Sequence, residues 1–237
     1  MIHSLGMDSV PVDESLKSAS ATRQKSAVEV LPSTALAFLR RFSTRLFFLT
    51  LILASTSSIR RQMLDAAGVE YETVKPAVDE EELKLGLTDA SDIAERLAAA
   101  KAMSIPGGWV IGSDSVVSSG GQLFNKPCDR DEAAEHLRFF SAKPILLTSA
   151  VALARGGTLD WSHVETATLH VRPLSESFIR DYLDAEWPEV GYTVGVFRLE
   201  ARGVQLFEQI SGDHFTILGM PLIPLLGALR ERGLLLS

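Results

Sequence analysis

A single cysteine, Cys128, stands in 237 residues. One thiol excludes an intramolecular disulfide and any multi-cysteine zinc site, and it suits a reducing compartment. The five histidines (His3, His136, His163, His170 and His214) include no i, i+4 pair, so a zinc centre is not expected. Positive charge is also scarce. Lys and Arg number 23 against 30 Asp and Glu, leaving a net charge of −7, which argues against a broad nucleic-acid footprint. An acidic protein can still bind a polyanion where a few cations converge in a cleft and a divalent metal joins them. The apolar run from Leu46 to Ala54 is too short to span a bilayer, so no membrane association is expected. No internal repeat is visible. An apolar share of 46% and a charged share of 22% are ordinary for a soluble globular chain. The length suffices for one large domain or two small lobes.

Charge is unevenly spread. Residues 1–50 hold six Lys/Arg and four Asp/Glu, a balance of +2 that leaves −9 for the rest. Residues 1–34 are rich in Ser, Ala and Thr without a sustained period and are expected to be disordered. Residues 35–50 turn apolar and basic, and with Leu51–Ser55 they mimic a signal peptide. A true signal would have to begin about 40 residues into the chain. Residues 1–50 are therefore read as a disordered extension, or as the product of a start site placed upstream of the real one, and the protein as cytoplasmic. Export with cleavage near Ala54 or Ser55 is the alternative.

The most informative stretch is LILASTSSIRRQML, residues 51–64. Leu51–Ala54 make a short buried-strand signal. Four hydroxyl residues follow, and then Ile59, Met63, Ala66 and Ala67 recur at helical spacing until Gly68 supplies a stop. Strand, hydroxyl-rich turn and helix together aim unpaired backbone N–H groups and the positive end of the helix dipole at one spot. Arg60, in the first helical turn, can fork onto a phosphate. The segment therefore reads as an anion-binding corner, although an ordinary serine-capped helix with solvated arginines fits the same pattern.

Further along, residues 69–74 read as a second strand and residues 76–83 as an acidic turn. Asp79, Glu80, Glu81 and Glu82 fit a solvated charge run, or one of them is a metal ligand if the turn folds back on the corner. Residues 89–104 read as an amphipathic helix with Lys101 near its end, where a dipole partner is the simplest role. The strand WVIGSDSVV (109–117) places Asp114 in a buried setting, which is costly for a carboxylate unless it is paired or metal-bound. SSGGQ (118–122) signals a hairpin, and Pro127 holds Lys126 in extended chain. Residues 129–140 and 175–187 read as helices, 145–154 and 159–172 as two long strands, 204–210 as a last strand and 210–233 as a turn and C-terminal helix. Cys128 reads as a small packing residue. Alternating strands and helices followed by an antiparallel pair imply an α/β mixed sheet with a cleft between two lobes.

These motifs, in order and at compatible spacing over residues 51–235, resemble the Maf family of nucleoside triphosphate pyrophosphatases. Ala54-Ser55-Thr56-Ser57-Ser58-Ile59-Arg60 is similar to the family's A-S-x-S-P-x-R turn. Lys101, Gly112-Ser113-Asp114, Lys126-Pro127 and Gly219-Met220-Pro221-Leu222 are similar to its helix lysine, G-[AST]-D strand, K-P pair and closing G-[LM]-P-L. The resemblance implies a Maf/ITPase-like mixed central sheet flanked by helices, with a nucleotide-binding cleft between two lobes formed by residues 51–237. It implies cleavage between the α- and β-phosphates of a nucleoside triphosphate with a divalent cation, Mg²⁺ or Mn²⁺, and it leaves room for a homodimer. By the same resemblance Asp114 activates water, and the metal sits at Asp114 and Glu80. Arg60, Lys101 and Lys126 clamp the triphosphate, and Ser55 and Ser57 fix its oxygens. Ser58 stands where the family has proline. Ile59, Ser115 and Glu200 depart from the dTTP/UTP subfamily, which has arginine, threonine and glutamine there, while Phe197 to Glu200 is similar to the 7-methyl-GTP subfamily. A carboxylate suits the adjacent N1–H and N2–H donors of guanine and repels the acceptors of uracil and thymine. The dTTP/UTP specificity and a non-enzymatic role in septum formation are the alternatives.

Overall fold

The computed structural model describes residues 50–236. The expected disordered extension and the signal-like run, residues 1–50, lie outside the described residues apart from Thr50. Among the described residues no helix is long and apolar enough to cross a membrane.

The chain begins with strand β1 (Leu51–Ala54), followed by helix α1 (Ser58–Ala66), which Ser57 caps by accepting the Arg60 N–H. Gly68, at φ +68°, turns the chain beyond the helix, into a left-handed conformation that costs glycine little. Strand β2 (Glu72–Thr73) is much shorter than the run 69–74 suggests. It lies at the sheet edge with both residues exposed, so no apolar face holds the flanking residues in register. The acidic turn contains a short helix, α2 (Glu80–Lys84), capped by Asp79, whose side chain accepts from the N–H groups of Glu81 and Glu82. Helix α3 (Ala90–Met103), capped by Asp89, leads to strand β3 (Trp109–Ser119), the hairpin strand β4 (Gln122–Phe124) and helix α4 (Arg130–Phe140). Strands β5 (Pro144–Arg155) and β6 (Thr158–Val171) form the long antiparallel pair, and helix α5 (Glu176–Glu186) follows.

Residues 204–210 divide where a single strand is expected. Arg202–Leu206 form a 3₁₀ turn and β7 spans Phe207–Ser211. Gly203 explains the break, because a Cβ there would lie 2.5 Å from the Arg198 carbonyl oxygen, against which the turn is folded. The C-terminal region likewise holds two helices, α6 (His214–Ile217) and α7 (Leu222–Glu231), separated by Gly219 at φ +102° and Pro221.

The seven strands form one mixed sheet in the order β2-β1-β3-β5-β6-β7, with β4 beside β3. β1 runs parallel to β2 and β3, and the β3–β5, β5–β6 and β6–β7 pairs are antiparallel. Period-2 alternation sorts β5 onto two faces. Val151 and Leu153 pack with Leu53, Leu64, Leu225 and Leu229, whereas Ala150, Ala152 and Ala154 pack with Ile93, Ala94, Leu97 and Ala98 of α3. At the other end of the long strands, Ile145, Leu147, Ala167 and Leu169 pack with α4 and α5. The alanine-lined contact lets α3 sit very close to β3. A Cβ on Gly112 would fall 2.1 Å from the Ala98 carbonyl oxygen and 2.5 Å from the Ala102 nitrogen.

Cys128 is not a packing residue. It is exposed between the buried Pro127 and the α4 cap. Its hydrogen bond with Glu132, with smaller contributions from partial desolvation and Asp129, pushes the thiol up to about 11. It is held as the weakly nucleophilic thiol.

Candidate active site

The hydroxyl-rich corner forms because β1 ends at the buried Ala54 and α1 starts four residues later. Ser55, itself buried, accepts the Ser57 N–H at 3.2 Å, and Ser57 Oγ accepts the Arg60 N–H at 3.4 Å. The N–H groups of Ser58 and Ile59 have no acceptor among the described residues, the usual state of the first turn of a helix and the basis of anion binding there.

Lys101 sits in the last turn of α3, where a dipole partner would be exposed; it is only 6% exposed. Its Nζ lies 2.6 Å from Asp114 Oδ1 and 2.8 Å from Glu80 Oε1. The close approach permitted by Gly112 delivers this lysine to the carboxylate two residues further along β3. The acidic turn therefore does fold back, and it contributes Glu80. Burial raises the Glu80 pKa, but the hydrogen bond and charge of Lys101, with help from Lys84 and Lys126, outweigh that and hold it below the usual carboxylate value. Asp114 Oδ2 has no hydrogen-bond donor among the described residues.

Arg60 turns inward. Its Nε donates to the Gly219 carbonyl at 2.9 Å, Nη1 to the Ser113 carbonyl at 3.0 Å and Nη2 to Ser115 Oγ at 3.2 Å. Burial lowers its pKa while Asp114 and Glu80 raise it; a guanidinium keeps its proton in any case. Three of its five N–H donors are thus committed to the protein, so the expected phosphate fork is also a tether joining α1, β3 and the Gly219 turn. Replacing Arg60 by lysine gives up the fork that joins its three acceptors, and urea unfolding is expected to register a loss of about 1–3 kcal/mol.

Ser115, which lines the cavity, also has a part in the scaffold. Ser149 gives its own proton to the Thr216 carbonyl (2.8 Å). Ser115 Oγ accepts from Arg60 and has Ser149 Oγ (2.9 Å) and the Gly219 carbonyl (3.2 Å) as outlets for its proton. A hydroxyl has one donor and two acceptor positions, so Ser115 holds Arg60 and the Gly219 turn and keeps one acceptor position open.

All ten residues singled out from sequence (Ser55, Ser57, Ile59, Arg60, Glu80, Lys101, Asp114, Ser115, Lys126 and Glu200) line one cavity of about 1050 Å³. Lys126 is exposed and has no hydrogen-bond or ion-pair partner among the described residues. Glu200, also exposed, stands on the segment between α5 and β7. The sequence gives no signal for two further wall residues of that segment, Tyr192 and Arg198, which follow no period and fill no specified position of a motif. Arg198 lies two positions before Glu200, so proximity was the one available hint.

Two carboxylates from different elements meeting at one ammonium form a hard oxygen pair, which suits Mg²⁺ or Mn²⁺ completed by phosphate oxygens and water. Among the described residues there is no group of three or more His, Cys, Asp or Glu that could hold a metal by itself. Asp114 and Glu80 are the residues that would hold one.

A mixed α/β sheet with a strand–turn–helix corner of open N–H groups, a carboxylate pair and an exposed lysine around one cavity is an arrangement suited to phosphate groups. The family model for Maf, described as Maf-like protein, matches residues 50–232, and the chain belongs to that family. It is 46% identical over 191 residues to a nucleoside triphosphate pyrophosphatase of Nitrobacter hamburgensis, covering 78% of this chain and 95% of that protein. It is 44% identical over 191 residues to a 7-methyl-GTP pyrophosphatase of Rhizobium meliloti, covering 77% and 96%. A solved nucleoside-triphosphatase / dITP/XTP pyrophosphatase of Mycobacterium abscessus aligns with 53% of this chain and 75% of its own at 16% identity, with a TM-score of 0.35, a likeness too slight to carry weight.

Proposed function

We propose that this chain is a cytoplasmic nucleoside triphosphate pyrophosphatase that cleaves the α–β phosphate bond of 7-methyl-GTP, giving the monophosphate and pyrophosphate with the help of a divalent cation. The observation that carries the proposal is the Lys101 ammonium bridging Asp114 and Glu80 in the cavity that also holds the α1 corner, Lys126 and Glu200.

In-line attack at phosphorus needs alignment and charge neutralisation more than covalent help. The open N–H groups of Ser58 and Ile59 and the hydroxyls of Ser55 and Ser57 receive phosphate oxygens. Lys126, which makes no hydrogen bond or ion pair among the described residues, adds a positive charge. Asp114 Oδ2, left open while Oδ1 is held by Lys101, accepts the proton of the attacking water. A divalent cation on Asp114 and Glu80 would neutralise charge on the phosphate oxygens. Glu200, exposed on the cavity wall, accepts the N1–H and N2–H donors of guanine, and its charge favours the cationic 7-methyl form.

The test is a panel of normal and modified nucleoside triphosphates with Mg²⁺ or Mn²⁺, read by pyrophosphate release. Glu200→Gln replaces two acceptors by one acceptor and one donor. It is expected to shift the ratio of kcat/KM for 7-methyl-GTP over UTP by about tenfold or more toward UTP. Wild-type activity confined to dTTP and UTP would overturn the base assignment and leave the reaction class standing. Nucleotide binding with no release of pyrophosphate would favour a non-enzymatic role.

A further inference from the structure

Arg198 has no part in the phosphate chemistry, yet it lies on the wall of the same cavity. Its Nη2 donates to Glu186 Oε2 at 3.0 Å, and Glu186, the last residue of α5, is 7% exposed. A buried carboxylate requires a partner, and here the partner is an arginine whose side chain remains 31% exposed. Nε is buried without an acceptor, whereas Nη1 has no protein partner among the described residues. The guanidinium is therefore anchored at one edge with donors left over at the other.

The backbone around it is fixed as well. Tyr182 Oη donates to the Val196 carbonyl at 3.0 Å, and Val196 is held at φ +59°, unusual for a β-branched residue. Phe197 is buried edge-on against Phe207, with ring centroids 5.0 Å apart. The Arg198 carbonyl receives the Ala201 N–H at 3.1 Å and has Gly203 pressed against it. Two positions along, Glu200 lines the same cavity. A donor and a carboxylate two positions apart on a braced segment thus line one cavity.

Guanine offers a complementary edge, with the O6 acceptor followed by the N1–H and N2–H donors. Adenine places an amino group where O6 stands, and uracil and thymine end in a second carbonyl that would face Glu200. We propose that Arg198, anchored by Glu186, is a base-reading residue that donates to the 6-oxo group of a guanine nucleotide while Glu200 accepts from N1 and N2. Glu186 is then a positioning residue. Its charge also offsets that of Arg198, so the pair can face a cationic 7-methylguanine without net repulsion. The assignment rests on the guanine reading of the cavity given above.

The experiment compares kcat/KM for GTP, 6-thio-GTP and UTP in the wild type, Arg198→Met, Arg198→Lys and Glu186→Gln. Sulfur at position 6 weakens the acceptor and keeps N1–H and N2–H. The wild type is expected to prefer GTP over 6-thio-GTP. Arg198→Met should lower kcat/KM for GTP by about 10- to 100-fold, mainly through KM, with the GTP/6-thio-GTP ratio falling to about one. Arg198→Lys keeps a charge for Glu186 but has one ammonium for two tasks, so it should lose the same ratio even if the methionine variant does not fold. Glu186→Gln should lower the ratio while Lys126 and the phosphate corner are untouched. A folded Arg198 variant that keeps the wild-type ratio overturns the inference alone. A wild type that hydrolyses UTP and not GTP overturns the guanine reading beneath it.

Discussion

Asp114→Asn is expected to reduce pyrophosphate release by about 10²- to 10⁴-fold, the range a positioned general base contributes, while the protein stays folded. The side chain is 14% exposed on a buried strand, its Oδ1 is 2.6 Å from Lys101 and its Oδ2 is open to the cavity. An amide of the same shape can still accept from Lys101 through its oxygen, but it has no proton affinity to offer water. Removing one partner of a buried pair is costly when the other is left alone. Lys101 is not left alone, because Glu80 lies 2.8 Å away. The thermal unfolding midpoint should therefore move little while turnover collapses. A folded Asp114→Asn protein with wild-type turnover would remove Asp114 from the chemistry.

Gly112→Ala is expected to act in the opposite order, on stability first. The added methyl would lie 2.1 Å from the Ala98 carbonyl oxygen and 2.5 Å from the Ala102 nitrogen, both backbone atoms, so no side chain can swing aside. Helix α3 must move off β3, opening the alanine-lined contact. Overpacking of this kind costs about 3 kcal/mol or more, which lowers the midpoint by about 6–12 °C in a domain of this size. The displaced helix carries Lys101 with it, so activity should fall even below the unfolding transition. A midpoint within about 2 °C of wild type would show that the helix accommodates the methyl.

Much of this arrangement can be read in the sequence where one period dominates. The 3.6-residue spacing of Ile93, Leu97 and Ala98 marks α3, and the unbroken apolar run in 145–154 marks β5. Asp114 stands out because a charge inside such a run is expensive. Other features carry no local pattern. The partners of Arg60 lie 53, 55 and 159 residues away and two of them are backbone carbonyls, which any residue type supplies. For the same reason the sequence shows nothing of the bonds that tie Ser115 to Arg60 and to the Gly219 turn. Gly203 breaks the expected strand by a close approach to Arg198, and sequence marks glycine without saying what comes near it. Glu80 is one of four consecutive acids, and only the fold selects which of them meets Lys101.

The alternation of β3 gives this strand two separate duties. Gly112 and Asp114 face α3, and Ser113 and Ser115 face the turn at Gly219, where Ser113 Oγ donates to the Ala150 carbonyl at 2.8 Å and lies 3.0 Å from that of Gly219. Even-numbered positions thus serve the contact with α3 and the Lys101 pair, and odd-numbered ones govern how the guanidinium scaffold is hung. Descendants of this chain could remodel the scaffold side by changing Ser113 or Ser115 without disturbing the acid. Deleting or inserting one residue upstream of Asp114 in β3 would exchange the two sides at a stroke.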